Sequence, residues 1–271
     1  MSTSDALGYS ATTIQMMAGR HASGNARFFL PHLRSDMHVL DCGCGPGSIT
    51  IDFAEVVASG AVVGIDLAPS HIAWARAQAA QRGITNVRFA VGDILHLPFP
   101  DATFDAVFGH TILIQLPNPF SVLTEVYRVV KSGGLIGFRE SAFDGNLYEP
   151  AEGARQQFFT LLIRWFQHTG RDLLVGRRLG GLVGRAGFRR VTMSASYDSV
   201  GTAEAKQGVY ERDARRCDDA WMEQAIALGW ISRNARDRLR AALCAEGADP
   251  AAFSATAFCE VVGWKDIDTT V

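Results

Sequence analysis

Three aspartates stand where short apolar runs end. Asp41 closes Met37-His-Val-Leu-Asp, Asp66 closes Ala61-Val-Val-Gly-Ile-Asp, and Asp93 follows Val87-Arg-Phe-Ala-Val through Gly92. Gly43, Gly45 and Gly47 come directly after the first of them, with Pro46 in between. Residues without a Cβ let the chain turn sharply and lie close to a ligand. A helix beginning just past such a turn offers unpaired N–H groups. A glycine-rich turn alone implies no more than that. Asp41 ahead of the glycines narrows it. A carboxylate there opposes the pyrophosphate of a dinucleotide and suits a ligand carrying an ammonium and a positive sulfur.

Asp66 falls about 20 positions past the glycines, where an acidic residue accepts from ribose hydroxyls in more than one cofactor class. It therefore points to adenosine without choosing the cofactor; a helix-capping aspartate is the other reading. Asp93 is placed to accept from an adenine amino group, with Ile94 packing on the ring, and a plain turn aspartate is its alternative. Leu67 stands beside Asp66 and joins the same candidate set.

Two further candidates end the next two apolar runs. His110 follows Phe104-Asp-Ala-Val-Phe-Gly and Glu140 follows Leu135-Ile-Gly-Phe-Arg. His110 reads as a group that orients a cofactor, as a base, or as a histidine that only hydrogen-bonds. Glu140 reads as a base toward an acceptor, as a holder of an acceptor ammonium, or as a partner of a surface arginine. Tyr9 is a candidate lid residue over the cofactor. His168 reads as a surface histidine.

These positions require strands that end side by side. Up to Glu140 the chain alternates apolar runs with helical stretches at βαβ lengths. That pattern predicts a parallel sheet covered by helices, with ligands beyond the carboxyl ends of the strands. Helices are predicted over 11–30, from Ser48 to Val57, from a Ser70 cap to Gln81, and from Asn118-Pro119 to the Gly133-Gly134 break. Residues 141–187 read as helical and carry Phe143, Tyr148, Phe158, Phe159, Trp165 and Phe166. These aromatics fit a cap over an apolar acceptor, and their spacing fits equally the core face of a helix. A strand over 188–197, helices over 202–228 and 233–246 (the latter capped by Ser232), and a strand over 257–264 complete seven strands.

The 271 residues are 48% hydrophobic and 20% charged, with a net charge of −2. This is globular composition without the basic balance of a nucleic-acid binder. The five cysteines are odd in number and irregularly spaced, so reduced thiols are expected rather than disulfides. Cys42-x-Cys44 lacks the gap of a zinc or redox pair, and no metal is expected. Met1–Ser10 lacks the basic start and apolar core of a signal peptide, and no stretch approaches the roughly 20 apolar residues of a membrane span. A cytoplasmic location is expected, with a small-molecule acceptor, no nucleic-acid or membrane partner, and an oligomeric state left open, a homodimer included.

The series Val39-Leu-Asp-Cys-Gly-Cys-Gly-Pro-Gly, Gly64-Ile-Asp-Leu, Gly92-Asp93, Leu97-Pro-Phe-Pro-Asp-Ala-Thr-Phe-Asp-Ala-Val and Val126-Tyr-Arg-Val-Val-Lys-Ser-Gly-Gly resembles the class I S-adenosylmethionine methyltransferases. More narrowly, it is similar to the ubiquinone and menaquinone biosynthesis group and its natural-product relatives. The motifs cover roughly residues 36–140. The resemblance implies S-adenosylmethionine as cofactor and S-adenosylhomocysteine as product. It implies a methionine-moiety contact at Asp41–Gly47, ribose contact at Asp66 and adenine contact at Asp93. The fold it implies is a Rossmann-like, doubly wound α/β domain with a mostly parallel seven-stranded sheet. The expected layout is one domain over 1–271: a helical lid over 1–34, a cofactor core over 35–140, a helical substrate cap over 141–187, and strands and helices over 188–271. The motifs imply methyl transfer without giving the acceptor; with the aromatic stretch over 141–187, O- or C-methylation of a small apolar or aromatic molecule is expected. N-methylation of an amine, a nicotinamide oxidoreductase, and a protein that binds the cofactor for another purpose remain as alternatives.

Overall fold

The computed structural model describes Ile14 and residues 17–267, so Tyr9 lies outside the described residues. In chain order the elements are α1 (Ala22–Asn25), β1 (His38–Cys42), α2 (Ser48–Val56), β2 (Ala61–Asp66), α3 (Pro69–Gln81), β3 (Val87–Val91), β4 (Phe104–His110), α4 (Pro119–Val129) and β5 (Val130–Ser141). There follow β6 (Leu147–Glu149), α5 (Ala154–His168), α6 (Leu179–Arg185), β7 (Arg189–Ser199), α7 (Ala203–Arg215), α8 (Ala220–Ala227), α9 (Arg233–Ala248) and β8 (Phe253–Trp264). They divide into two compact units. The first comprises Met1–Glu140, Arg178–Ser194 and Glu260–Val271; the second comprises Ser141–Arg177 and Ala195–Cys259.

In the first unit the strands run in the order β3-β2-β1-β4-β5, followed by the Glu260–Trp264 end of β8. The pairs from β3 through β5 are parallel. Strand order reverses at β1, where Asp41 lies opposite Gly64 on one side and Phe108 on the other. This reversal opens the crevice in which doubly wound sheets bind ligands. The central strands β1, β4 and β5 are buried along nearly their whole length, as parallel strands covered on both faces are, whereas the edge strand β3 buries only Phe89.

The core beneath β1 and β4 gathers Phe29, Val39, Phe53, Phe108 and Val262. Phe53 and Phe108 meet edge to face with centroids 5.0 Å apart. Gly137 in β5 leaves room for Phe29, since a Cβ there would fall 2.3 Å from the ring. Burying such a ring contributes roughly 1.5–3 kcal/mol, and here it ties the N-terminal segment to the sheet.

Several boundaries differ from the sequence reading, each for a local reason. Of the helix expected over 11–30, Ile14, Met17 and Ala18 are helical, a turn at Gly19 ends that stretch, and α1 and a 3₁₀ turn at Leu30–His32 follow. The helix expected from Ser70 starts at Pro69, with proline at its first position. β5 begins directly at the end of α4, ahead of Leu135, with a register shift opposite Phe104/Ala106 and Gly133 at φ +76°. The helix expected over 202–228 breaks at a 3₁₀ turn, Arg216–Asp218, before α8 resumes. Thr202 and Ser232 cap as side chains should, accepting from Ala205 N and Ala235 N.

The second unit supplies an eighth strand. β6 lies within the stretch read as helical and pairs antiparallel with Phe253–Ala255 of β8. Phe158, Phe159 and Leu162 are buried on one face of α5, and the Phe158 ring meets Trp221 edge to face at 5.5 Å. Inside this unit Arg155 is 4% exposed and Asp213 0%. Arg155 Nε donates to Asp213 Oδ2 at 2.9 Å, and its Nη1 donates to Ser254 Oγ. The guanidinium also lies over the rings of Phe159 and Tyr210 at 5.3 and 5.2 Å. Removing one member of a buried ion pair strands the other, at about 3–5 kcal/mol. Arg155→Ala is therefore expected to lower unfolding stability by that amount in urea titration. Pairing Arg155→Met with Asp213→Leu should recover part of the loss, since Asp213 also faces Arg212 Nε and Arg216 Nη1 at 3.7 and 3.8 Å.

Candidate functional site

At the carboxyl ends of β1, β2, β4 and β5 the first unit assembles its chemistry. The loop after β1 holds Gly43, Gly45 and Gly47 at φ +71°, +52° and +81°, a region that favours glycine. Gly43 N and Cys44 N donate to Ile65 O at 2.8 and 3.0 Å, which ties the loop to β2. The three glycines have different neighbours. A Cβ on Gly43 would fall 2.5 Å from Ile112 Cδ1, and one on Gly47 would fall 2.6 Å from Ala75 Cβ and 2.8 Å from the Phe89 ring. At Gly45 the nearest atom would be Met17 Cε at 3.2 Å.

Asp41 is buried, and its Oδ2 accepts from Thr50 Oγ1 at 2.6 Å. Burial pushes its carboxyl up to about 7, the Thr50 bond working against this and the nearby Asp66 charge adding to it. Asp66 faces the same loop. Its Oδ2 accepts from Gly45 N at 2.9 Å, and its Oδ1 accepts from Ala68 N at 2.9 Å and lies 3.2 Å from His71 Nδ1. The carboxylate thus fastens both the glycine loop and the chain entering α3. Leu67 next to it is half exposed, Ile94 is buried, and Asp93 Oδ1 accepts from Leu95 N at 2.9 Å.

His110 and Glu140 end neighbouring strands. His110 is buried, and its Nδ1 lies 3.2 Å from Arg139 O. A carbonyl only accepts, so Nδ1 carries the proton and Nε2 the lone pair. Burial, with the positive charges of Arg20 and Arg139, holds the imidazole well below its usual range, and the ring is neutral at pH 7. Glu140 Oε1 accepts from Ile112 N and Leu113 N at 2.8 and 2.7 Å, and Oε2 from Ile114 N at 3.4 Å. Burial raises its carboxyl to about 7 against those three bonds and the charge of Arg20.

Asp41, Asp66 and the glycines are therefore brought together at one loop, and His110 and Glu140 at the adjoining pair of strand ends. His168 lies in the second unit, its ring edge-on to Trp230 at 5.5 Å. Sequence reasoning missed Thr50, His71, Ile112 and Arg20. Thr50 had one signal, its place in the first turn of the helix after the glycines. A cavity of about 360 Å³ lined by Met37, Asp105, Gly134, Leu135 and Trp264 lies at the opposite, amino ends of β1 and β4, away from these groups.

A methyltransferase domain family matches residues 33–164. The Aspergillus luteorubrus protein named "Probable methyltransferase ltbC" is 37% identical over 143 residues, 49% of this chain and 50% of that protein. The demethylmenaquinone methyltransferase of Lactiplantibacillus plantarum is 34% identical over 197 residues, 65% of this chain and 82% of that enzyme. The crystal structure of the YcgJ protein from Bacillus subtilis shares the fold, with a TM-score of 0.59 at 18% identity, over 90% of this chain and 99% of that one. This chain belongs to the class I S-adenosylmethionine-dependent methyltransferases. It spans about half the length of the first of these relatives. S-adenosylmethionine is the family's cofactor, and the donor set here fits it. The loop combines left-handed glycines with a buried carboxyl at Asp41 and an acceptor at Asp66, groups of the kind that would hold a ligand with positive charge and ribose hydroxyls.

Proposed function

We propose that this protein transfers a methyl group from S-adenosylmethionine to an oxygen or carbon of a small, apolar or aromatic molecule in the cytoplasm. The observation that carries the reading is Asp41, a buried carboxyl immediately before a glycine loop that Asp66 fastens from the next strand. When bound, the cofactor supplies an electrophilic methyl group on a sulfonium. Asp41 balances the charge of the methionine end. Asp66 accepts from the ribose, Asp93 from the adenine amino group, and Leu67 and Ile94 flank the base. Gly43, Gly45 and Gly47 allow the backbone to approach. His110, neutral with its lone pair on Nε2, orients the reacting groups; the burial and the charges of Arg20 and Arg139 that keep it neutral make it a weak base toward an acceptor hydroxyl. Alignment of acceptor and methyl provides much of the rate.

Relatives named for a quinone substrate support a hydroxylated ring as acceptor. No described helix is long and apolar enough to cross a membrane. The test incubates the purified protein with methyl-labelled S-adenosylmethionine and a panel of reduced naphthoquinones, phenols and amines, followed by mass analysis. Label on oxygen or carbon of a ring compound is expected. Label confined to amines, or none on any acceptor, would overturn the proposal.

A further inference from the structure

We propose that Glu140 is a positioning residue for the cofactor loop: its carboxylate pegs the turn after β4, and Ile112 on that turn fixes where Gly43 lies. This rests on the reading that the Gly43–Gly47 loop holds S-adenosylmethionine.

The turn is awkward by itself. Thr111 adopts φ +53°, a left-handed conformation that a β-branched residue rarely takes. Two bonds hold it there: Thr111 N donates to Arg139 O at 2.9 Å, and Arg20 Nη1 donates to Thr111 Oγ1 at 3.2 Å. The next three residues each present a backbone N–H to Glu140. A carboxylate has about four lone-pair sites, and three of them face this turn. The side chain is fully buried. Its geometry suits holding backbone, whereas a general base must reach a proton on the acceptor.

The turn transmits that hold through one side chain. Ile112 Cδ1 occupies the space a Cβ on Gly43 would need, and its Cγ2 lies 3.3 Å from a Cβ built on Gly109. Ile112 is thus wedged between the first glycine of the loop and the end of β4. Gly43 in turn hangs from Ile65 O by its own N–H. If the turn relaxes, Ile112 shifts and Gly43 loses its backing.

Glu140→Gln keeps the shape but replaces one acceptor with an NH₂ that confronts a backbone donor. S-adenosylhomocysteine, titrated calorimetrically into the folded variant at about pH 8, should bind about 10- to 100-fold more weakly than to wild type, the loss of one charge-assisted bond. Hydrogen exchange at the amides of Ile112, Leu113 and Ile114 should accelerate. Ile112→Ala should also weaken binding, and the double variant should lose less than the sum of the two, because both act through one contact. Unchanged affinity in Glu140→Gln with turnover abolished would make Glu140 a base and overturn the proposal. Strict additivity would overturn the coupling through Ile112. Wild type that binds no S-adenosylhomocysteine would overturn the cofactor reading as well, and unchanged amide exchange in Glu140→Gln would separately remove the peg.

Discussion

Asp66→Ala is expected to weaken binding of both S-adenosylmethionine and S-adenosylhomocysteine by two to three orders of magnitude. Two losses combine. The ribose hydroxyls lose a charged acceptor, and hydrogen bonds to charged groups contribute about 1.5–3 kcal/mol each. The loop also loses its clamp, because Asp66 Oδ2 holds Gly45 N at 2.9 Å. Oδ1 already meets Ala68 N and His71 Nδ1, so the acceptor site offered to a ribose is the second lone pair of Oδ2, beside Gly45 N. Asp66→Asn keeps one oxygen and should fall between alanine and wild type. Isothermal titration with the demethylated product measures this without requiring an acceptor. Unchanged affinity in Asp66→Ala would sink the ribose assignment, and tight binding of a nicotinamide dinucleotide by wild type would redirect the whole reading toward hydride transfer.

The sequence displayed this arrangement wherever a feature is local. The apolar runs ending at Asp41, Asp66 and His110 are strands because each is short and buried, and an acidic or polar residue at the strand end faces the ligand edge by topology alone. The glycines were legible as a turn. The reasons for each one were not: Gly47 answers to Ala75 and Phe89 and Gly43 to Ile112, neighbours that only the folded sheet supplies. Glu140 shows the same limit. Its place at a strand end was plain, but the direction of its carboxylate depends on three N–H groups donated by a turn distant in sequence. β6 has three residues, too few for an alternating pattern to emerge from a helical background. The stretch over 141–187 read as a helical cap over the acceptor; residues 141–177 fall in one compact unit with 195–259. Amphipathic spacing reveals that a helix buries a face, and it does not say against which partner.

Cofactor affinity is expected to climb with pH until neutrality and then level off, and Asp41 is the group responsible. Without ligand, burial raises its carboxyl from 3.8 to about 7, so near pH 6.5 most molecules carry a proton there. A bound ammonium and sulfonium favour the ionised form. Binding therefore expels a proton below pH 7, and affinity should fall by roughly tenfold for each pH unit below that point. Stability of the ligand-free protein runs the other way. The folded state holds the Asp41 proton more tightly than the unfolded chain, so the stabilisation is fully present below the unfolded value of 3.8 and is lost as pH rises through about 7. Glu140, raised from 4.5 to about 7, adds to that stability trend, but it faces the turn and Arg20 rather than the glycine loop. Asp41→Asn separates the two carboxyls. It should bind the cofactor more weakly than wild type, by a margin that widens from pH 6 to pH 8, and release fewer protons on binding. Titrations in two buffers of different ionisation enthalpy count the released proton directly. Wild type that releases none near pH 6.5 would show that the cofactor's positive charge does not lie beside Asp41, and the charge-based choice between a sulfonium cofactor and a dinucleotide would lose its footing.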